Sequence, residues 1–134
     1  MFLLRTWSNG WLTTNRMHAE SKLPCIFGCD GECDTLHHYL RCEPLWTLVY
    51  TCTNSNSIQV LQQSVEDRFC IQNLSSANLV RLSCAFSTCH HLRKHNAEQL
   101  FECASLNDWS QVYDAALQLI KTFYEECLTS NPDN

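Results

Sequence analysis

The sequence has little glycine or proline and no excess of basic residues. Only three Gly and three Pro occur in 134 residues, and hydrophobic residues make up 45%. This composition excludes a disordered or collagen-like chain and is typical of a globular domain that tolerates helices. The length fits one domain, in which a metal ion can supply a large share of the stability.

Positive charge is scarce, and the formal net charge is −5. The broad basic surface that drives strong binding to nucleic-acid phosphates is therefore missing. Basic residues in the front part are nevertheless candidates for phosphate contacts, and these are Arg5, Arg16, Lys22 and Arg41. Between residues 96 and 134, seven acidic residues accompany Lys121 alone. The charge pattern predicts at most weak association of this chain with RNA or DNA.

Long apolar runs are also missing. The N-terminal apolar triplet is interrupted by Arg5 before a signal-peptide core of about 7 to 15 apolar residues can form. No other window approaches the roughly 20 apolar residues that span a membrane. We therefore expect an intracellular protein, nuclear or cytoplasmic, that does not insert into a membrane and whose thiols stay reduced.

Known catalytic motifs are absent as well. The sequence contains no Gly-rich phosphate loop, no G-x-S-x-G, no H-E-x-x-H, no zinc-deaminase signature and no paired aspartates for two-metal chemistry. The sequence therefore predicts that the chain is not an enzyme. A thiol oxidoreductase is the enzyme class that stays open, because Cys and His are both numerous.

Cysteine, by contrast, is abundant, with ten residues. Four of them and two histidines lie in "CIFGCDGECDTLHHYLRC", residues 25–42. In a reducing compartment, clustered cysteines predict metal binding, whereas scattered cysteines predict burial as small apolar residues. The scattered ones are Cys52, Cys70, Cys84, Cys89, Cys103 and Cys127.

The cluster contains a histidine and a cysteine four residues apart, His38 and Cys42. If the segment that follows Asp34 is a helix, these two side chains are separated by about 40° around its axis and can reach one ion. His37 faces about 100° away from His38 on such a helix and is the poorer partner for Cys42.

Two more ligands are available in the Gly-containing loop before this helix, Cys25 and Cys29. Together they give a Cys3His set, which suits the tetrahedral preference of Zn²⁺ for thiolate and imidazole ligands. Four protein ligands leave no position for a reactive water, so we predict one structural zinc ion. Cys33 repeats the same spacing, and Cys33 or His37 remains an alternative for one position. The predicted ligands are Cys25, Cys29, His38 and Cys42.

A second group of Cys and His occurs between residues 84 and 95 and comprises Cys84, Cys89, His90, His91 and His95. A single straight helix hardly supplies four tetrahedral ligands, so we do not predict a metal site here. We interpret Cys89 and Phe86 as core residues and the histidines as a solvated helix end that complements the helix dipole.

Trp7, Trp11 and Trp46 could stack on single-stranded bases. Aromatic residues at helical spacing near a small metal site more often pack in the core, and we favour that interpretation.

Helical spacing predicts most of the secondary structure, and no alternating strand pattern is convincing. We expect a short helix over Leu4–Trp11, a loop over 23–33 that forms at most a small hairpin, and a helix capped by Asp34 that ends or kinks near Cys42 because of Pro44. Four more helical pieces follow. We expect a second piece through Val49, a short helix marked by Ile58, Leu61 and Val65, a helix from Ser75 or Ser76 to about His95, and a last helix capped by Asn107 or Asp108.

The predicted fold is therefore an all-α domain with an N-terminal Cys3His zinc knuckle. Residues 1–50 form the zinc-binding module, with the knuckle at 25–42. Residues 51–134 form a helical C-terminal region that packs with the module as one domain.

The motif also resembles a known family. "LPCIFGCDGECDTLHHYLRCEPLW" is similar to the zinc-binding C-terminal region of non-LTR retrotransposon reverse transcriptases, and "SNGWLTTNRMH" resembles the helix and basic turn before it. The matching residues, in order, are Cys25, Cys29, Thr35, Leu36, His38, Cys42, Pro44 and Trp46. The family usually has Cys-x2-Cys and His-x4-Cys, where this chain has x3 in both places. The match covers roughly the first third of the chain.

This resemblance implies a module that helps a reverse-transcriptase polyprotein to hold template RNA or target DNA, without polymerase or endonuclease residues of its own. The alternative is a zinc-stabilised helical module that binds a protein partner, or an inactive retroelement remnant.

Overall fold

A computed structural model describes residues 10–14, 17, 20–53, 64–68, 70–71 and 74–130. These residues form six helices and no strand, which confirms the all-α prediction for the described part of the chain. The helices are α1 (Leu36–Tyr39), α2 (Glu43–Cys52), α3 (Val65–Arg68), α4 (Ser76–His95), α5 (Ala97–Leu106) and α6 (Ser110–Thr129). The predictions made for Leu4, Trp7, Ile58 and Leu61 fall outside the described residues.

The two longest helices, α4 and α6, pack against each other and against α2. Their contact faces are fully buried, with Leu82 on α4 and Ile120 on α6 both 0% exposed. The start of α4 is as predicted, because the Ser75 side chain accepts a hydrogen bond from the Asn78 N–H at 3.1 Å. Removal of apolar surface from water at these faces is the main force that holds the helices together.

Helix α5 was not among the helices predicted from the sequence. Its presence changes the role of Asn107. Asn107 closes α5 in the left-handed conformation, with φ of 49°, so its prediction as the N-cap of the last helix was wrong. The N-cap of α6 is Trp109, so the predicted alternative Asp108 is not the cap residue either, although its carboxylate accepts a hydrogen bond from the Ser110 N–H at 3.1 Å. The apolar spacing of Leu100 and Cys103, both buried, was the available signal for α5.

The helix predicted from the Asp34 cap to about Cys42 is also different. The cap is Thr35, whose side chain accepts the His38 N–H at 3.2 Å, and α1 already ends at Tyr39. Cys42 is the N-cap of α2, and Pro44 lies in the first turn of α2, where its missing N–H has no helical partner to lose. The prediction that His38 and Cys42 share one helix was therefore wrong.

Two of the three tryptophans considered for base stacking are core residues. Trp11 and Trp46 are each 1% exposed. Trp11 packs edge-on to Phe86 of α4, with ring centroids 5.7 Å apart. The indole N–H of Trp46 donates to the Tyr39 carbonyl at 2.8 Å. The core interpretation is confirmed for both rings, and Trp7 lies outside the described residues.

Candidate metal centre

The centre is built on the segment from residue 23 to 42, which we call the metal loop. Two backbone hydrogen bonds join the beginning of this loop to its middle. The Asp34 N–H donates to the Leu23 carbonyl at 3.1 Å, and the Cys25 N–H donates to the Glu32 carbonyl at 2.9 Å. Gly28 and Gly31 turn the chain with φ of 77° and 71°, a region that non-Gly residues rarely adopt. This hairpin-like path brings Cys29 back beside Cys25.

The structure brings the four predicted ligands together. One ligand atom from each of Cys25, Cys29, His38 and Cys42 lies within 4.8 Å of the other three. The Cys42 sulfur is 3.8 Å from the sulfurs of both Cys25 and Cys29. A tetrahedral ion with metal–sulfur bonds of about 2.3 Å separates two sulfurs by about 3.8 Å. The spacing therefore suits shared coordination, and it is far longer than the roughly 2.0 Å of a disulfide.

The orientation of His38 fits a metal ligand. Its Nε2 atom is buried and has no hydrogen-bond partner, an arrangement that is costly unless something binds there. Its Nδ1 atom lies 3.3 Å from a carboxylate oxygen of Glu32. Metal-ligating histidines commonly direct the other ring N–H at such a carboxylate, which fixes the tautomer and the ring orientation. Glu32 was not among the residues that the sequence predicted for this site.

The three thiols do not ionise independently. A hydrogen bond from the Cys42 thiol is the main cause that lowers the pKa of Cys25 to about 5, and the Phe27 N–H also contributes. The same hydrogen bond and burial raise the pKa of Cys42, while burial and the charge of Cys25 raise that of Cys29 to about 11. Without an ion the group favours one thiolate, and a bound cation would release the remaining protons.

The alternative ligands lie outside this group. Cys33 and His37 are both exposed, and neither belongs to the cluster. All ten cysteines are free thiols. Among the described residues, no other set of three or more potential ligands meets the same distance limit, and this includes residues 84–95. Cys84 and Cys89 are buried in α4, as the core interpretation of the scattered cysteines expects.

The basic residues considered for phosphate contacts are only partly described. Lys22 and Arg41 are exposed, and the Lys22 ammonium donates to the Thr14 carbonyl at 3.3 Å. Arg5 and Arg16 lie outside the described residues. Two further arginines point inward instead: Arg68 lies 5.3 Å from the Trp46 ring centroid and Arg81 lies 4.7 Å from that of Tyr50.

The described residues form a helical domain with a Cys3His group that could hold one metal ion; three of its members are buried and Cys29 is half-buried. The chain matches no protein-family model, and comparisons with curated proteins and with solved structures found no match. Within the described residues, none of the helices is both long enough and apolar enough to cross a membrane.

Proposed function

We propose that Cys25, Cys29, His38 and Cys42 bind one Zn²⁺ ion, and that this ion stabilises the fold without taking part in catalysis. The observation that carries the proposal is the convergence of three sulfurs and the unpartnered, buried His38 Nε2 in one group of ligand atoms. Thiolate and imidazole ligands in a tetrahedral set are typical of structural zinc sites. A closed set of four leaves no coordination position for substrate, so the proposed role is not enzymatic.

We further propose that this domain serves a retroelement reverse-transcriptase polyprotein and helps it to associate with RNA or DNA. Two points support this. The motif between residues 25 and 46 resembles the zinc-binding region of such proteins, and the four matching Cys and His residues are the ones that lie together. The exposed Lys22 and Arg41 offer phosphate contacts, while the net charge of −5 keeps binding by this chain weak.

Elemental analysis of the purified protein tests the zinc proposal. We expect one zinc per chain in the wild type and in Cys33→Ser, because Cys33 is exposed and lies outside the group. Cys42→Ser should lose stoichiometric zinc, since it removes one of the four ligands. Retention of one zinc per chain by Cys42→Ser would rule out this ligand set.

Fluorescence anisotropy with single-stranded RNA and DNA at two salt concentrations tests the nucleic-acid proposal. Binding should weaken as salt rises, because phosphate contacts release condensed ions. The double variant Lys22→Gln/Arg41→Gln should bind more weakly than Lys121→Gln, a control on α6 that also removes positive charge. Absence of binding at low salt, or equal binding by the two variants, would contradict the proposal.

A protein-interaction module is the second candidate, and apolar residues on α5 favour it. Leu106 is 69% exposed and Phe101 is 40% exposed. Phe101 also borders an apolar cavity of about 170 Å³, together with Met17 and Leu100. A zinc-loaded chain that binds no nucleic acid at low salt would favour this candidate.

Rapid disulfide turnover by the zinc-loaded chain would instead indicate a thiol oxidoreductase.

A further inference from the structure

Asp34 is a fully buried carboxylate whose role the metal centre itself does not explain. It is 0% exposed. One of its oxygens accepts hydrogen bonds from the Thr14 N–H at 2.7 Å and the Thr14 hydroxyl at 2.9 Å. The other accepts from the Tyr39 hydroxyl at 2.5 Å and from the Arg93 guanidinium. A buried charge persists only where it is paired and hydrogen-bonded in this way.

Arg93 brings the opposite charge from α4, 59 residues further along the chain. Its side chain is only 7% exposed. A second guanidinium nitrogen donates to the Cys89 carbonyl at 3.0 Å, which holds the group against its own helix. The guanidinium carbon lies 4.9 Å from the centroid of the Tyr39 ring, within the range of a cation–π contact. Arg93 therefore contacts both Asp34 and Tyr39.

The Tyr39 hydroxyl connects this ion pair to the metal loop. It donates to Asp34 and accepts a hydrogen bond from the Ile26 N–H at 3.2 Å. Ile26 follows the ligand Cys25, and Tyr39 follows the ligand His38. One buried hydroxyl thus joins the backbone beside two ligands that belong to separate segments. Movement of the Tyr39 ring would displace both of them.

We infer that Asp34, Arg93 and Tyr39 are positioning residues of the metal centre, and that the buried ion pair between Asp34 of the metal loop and Arg93 of α4 controls metal affinity through the Tyr39 hydroxyl. The inference rests on the proposed binding of a metal by the Cys3His group. Outer partners of ligand groups affect affinity because they fix ligand orientation, typically by about 10- to 100-fold. Here the positive charge that orients the loop is that of Arg93, which lies on helix α4 and not in the metal loop.

Tyr39→Phe isolates the hydroxyl, and Tyr50→Phe is its matched control. Tyr50 is 1% exposed and lies on α2, so both variants lose one hydroxyl from a buried ring. Zinc affinity is measured by chelator competition, and the ligand geometry is measured from the absorption bands of bound Co²⁺. Tyr39→Phe should lose about tenfold or more in zinc affinity and shift the Co²⁺ bands, whereas Tyr50→Phe should do neither.

Arg93→Met tests the ion pair, with Asp34→Asn added as the compensating change. Arg93→Met leaves a buried carboxylate without its charge partner and should weaken zinc binding strongly. The double variant should recover part of the affinity, because no unpaired charge is buried and the introduced amide oxygen can still accept the Tyr39 hydroxyl, although the amide NH2 group cannot accept the Thr14 N–H. Affinity losses of Arg93→Met and Asp34→Asn that simply add in the double variant would contradict the inference.

The outcomes separate this inference from the proposed function. A wild-type chain that binds neither Zn²⁺ nor Co²⁺ one-to-one would overturn the proposed metal site, and the inference with it. A wild-type chain that binds zinc, with Tyr39→Phe and Tyr50→Phe equal in affinity and in Co²⁺ spectrum, would overturn the inference alone.

Discussion

The metal loop and the pair of long helices α4 and α6 hold their buried side chains in place by different means. In residues 23–42 the only regular element is the four-residue helix α1, and hydrogen bonds and the ligand group hold the chain in place. In α4 and α6, apolar side chains such as Leu82 and Ile120 pack along 20-residue helices. The first region combines buried apolar side chains such as Ile26 and Phe27 with a few specific polar contacts, whereas the second depends mainly on the apolar surface that it removes from water.

Two buried cysteines show what this difference means chemically. Cys25 in the metal loop and Cys84 in α4 are both 0% exposed. The Cys42 thiol lowers the pKa of Cys25 to about 5, whereas burial raises that of Cys84 to about 12. Burial is equal and disfavours the thiolate at both positions, so the neighbours decide: the hydrogen bond from Cys42 stabilises the Cys25 thiolate, whereas Cys127 adds to the effect of burial and favours the thiol at Cys84. Four experiments test this difference between the two regions.

Metal removal should have the largest effect and should act mainly on the metal loop. Structural zinc in small modules is worth on the order of 10 kcal/mol of folding free energy. We expect a strong chelator to abolish amide-exchange protection in residues 23–42 while α4 and α6 keep part of theirs. Equal loss of protection in both regions would show that the two are one cooperative unit.

Shortening a buried side chain between the long helices should have the opposite effect: it should destabilise the helices without releasing the metal. Leu82→Ala removes a side chain that is 0% exposed, and such changes cost about 2–5 kcal/mol. Urea unfolding should show that loss, while elemental analysis should still find one zinc per chain. Loss of zinc at native conditions, with the helical signal retained, would contradict the separation of the two regions.

Alanine at the two glycines of the metal loop should distinguish backbone strain from packing. A Cβ at Gly28 would lie 2.7 Å from the Trp109 ring beside α6, whereas one at Gly31 meets nothing within 4 Å. Both positions have positive φ, which costs a non-Gly residue about 1–2 kcal/mol. Gly28→Ala should therefore destabilise clearly more than Gly31→Ala in thermal unfolding. Equal losses of thermal stability in the two variants would mean that the Trp109 ring can move away from the new Cβ at no cost in stability.

Acid should weaken the contact between the regions through Asp34. Burial opposes ionisation of this carboxyl, but the charge of Arg93 and the hydrogen bonds outweigh it and lower its pKa. The native pKa lies below the unfolded value of about 3.9, so the stabilisation is present above that pH and is lost as pH falls through the native pKa.

Asp34→Asn removes the titrating group. The difference in unfolding free energy between wild type and Asp34→Asn should shrink as pH falls, by about 1.4 kcal/mol for each unit of pKa shift. A difference that stays constant from about pH 6 to about pH 3 would contradict the lowered pKa. Zinc content is measured at each pH, because the variant is also expected to bind the metal less tightly.

Much of the site was predictable because its signals are local. Residue type and spacing were enough to select the four residues that lie together, and the Ser75 cap with its apolar spacing placed α4. Errors arose where local rules conflict. Pro44 can end one helix or begin the next, and it begins α2, so the His38 and Cys42 side chains meet across a break between helices.

The sequence by itself determined the helical class, the cysteine-rich segment and the choice of ligand candidates, because residue type, periodicity and spacing act over a few positions. Only the tertiary structure decided which side chains surround those ligands. Glu32 beside His38, and Arg93 beside Asp34, follow from how the loop folds back and how α4 packs against it. A charge pair 59 positions apart leaves no local pattern, because its partners are selected by burial after the chain has folded.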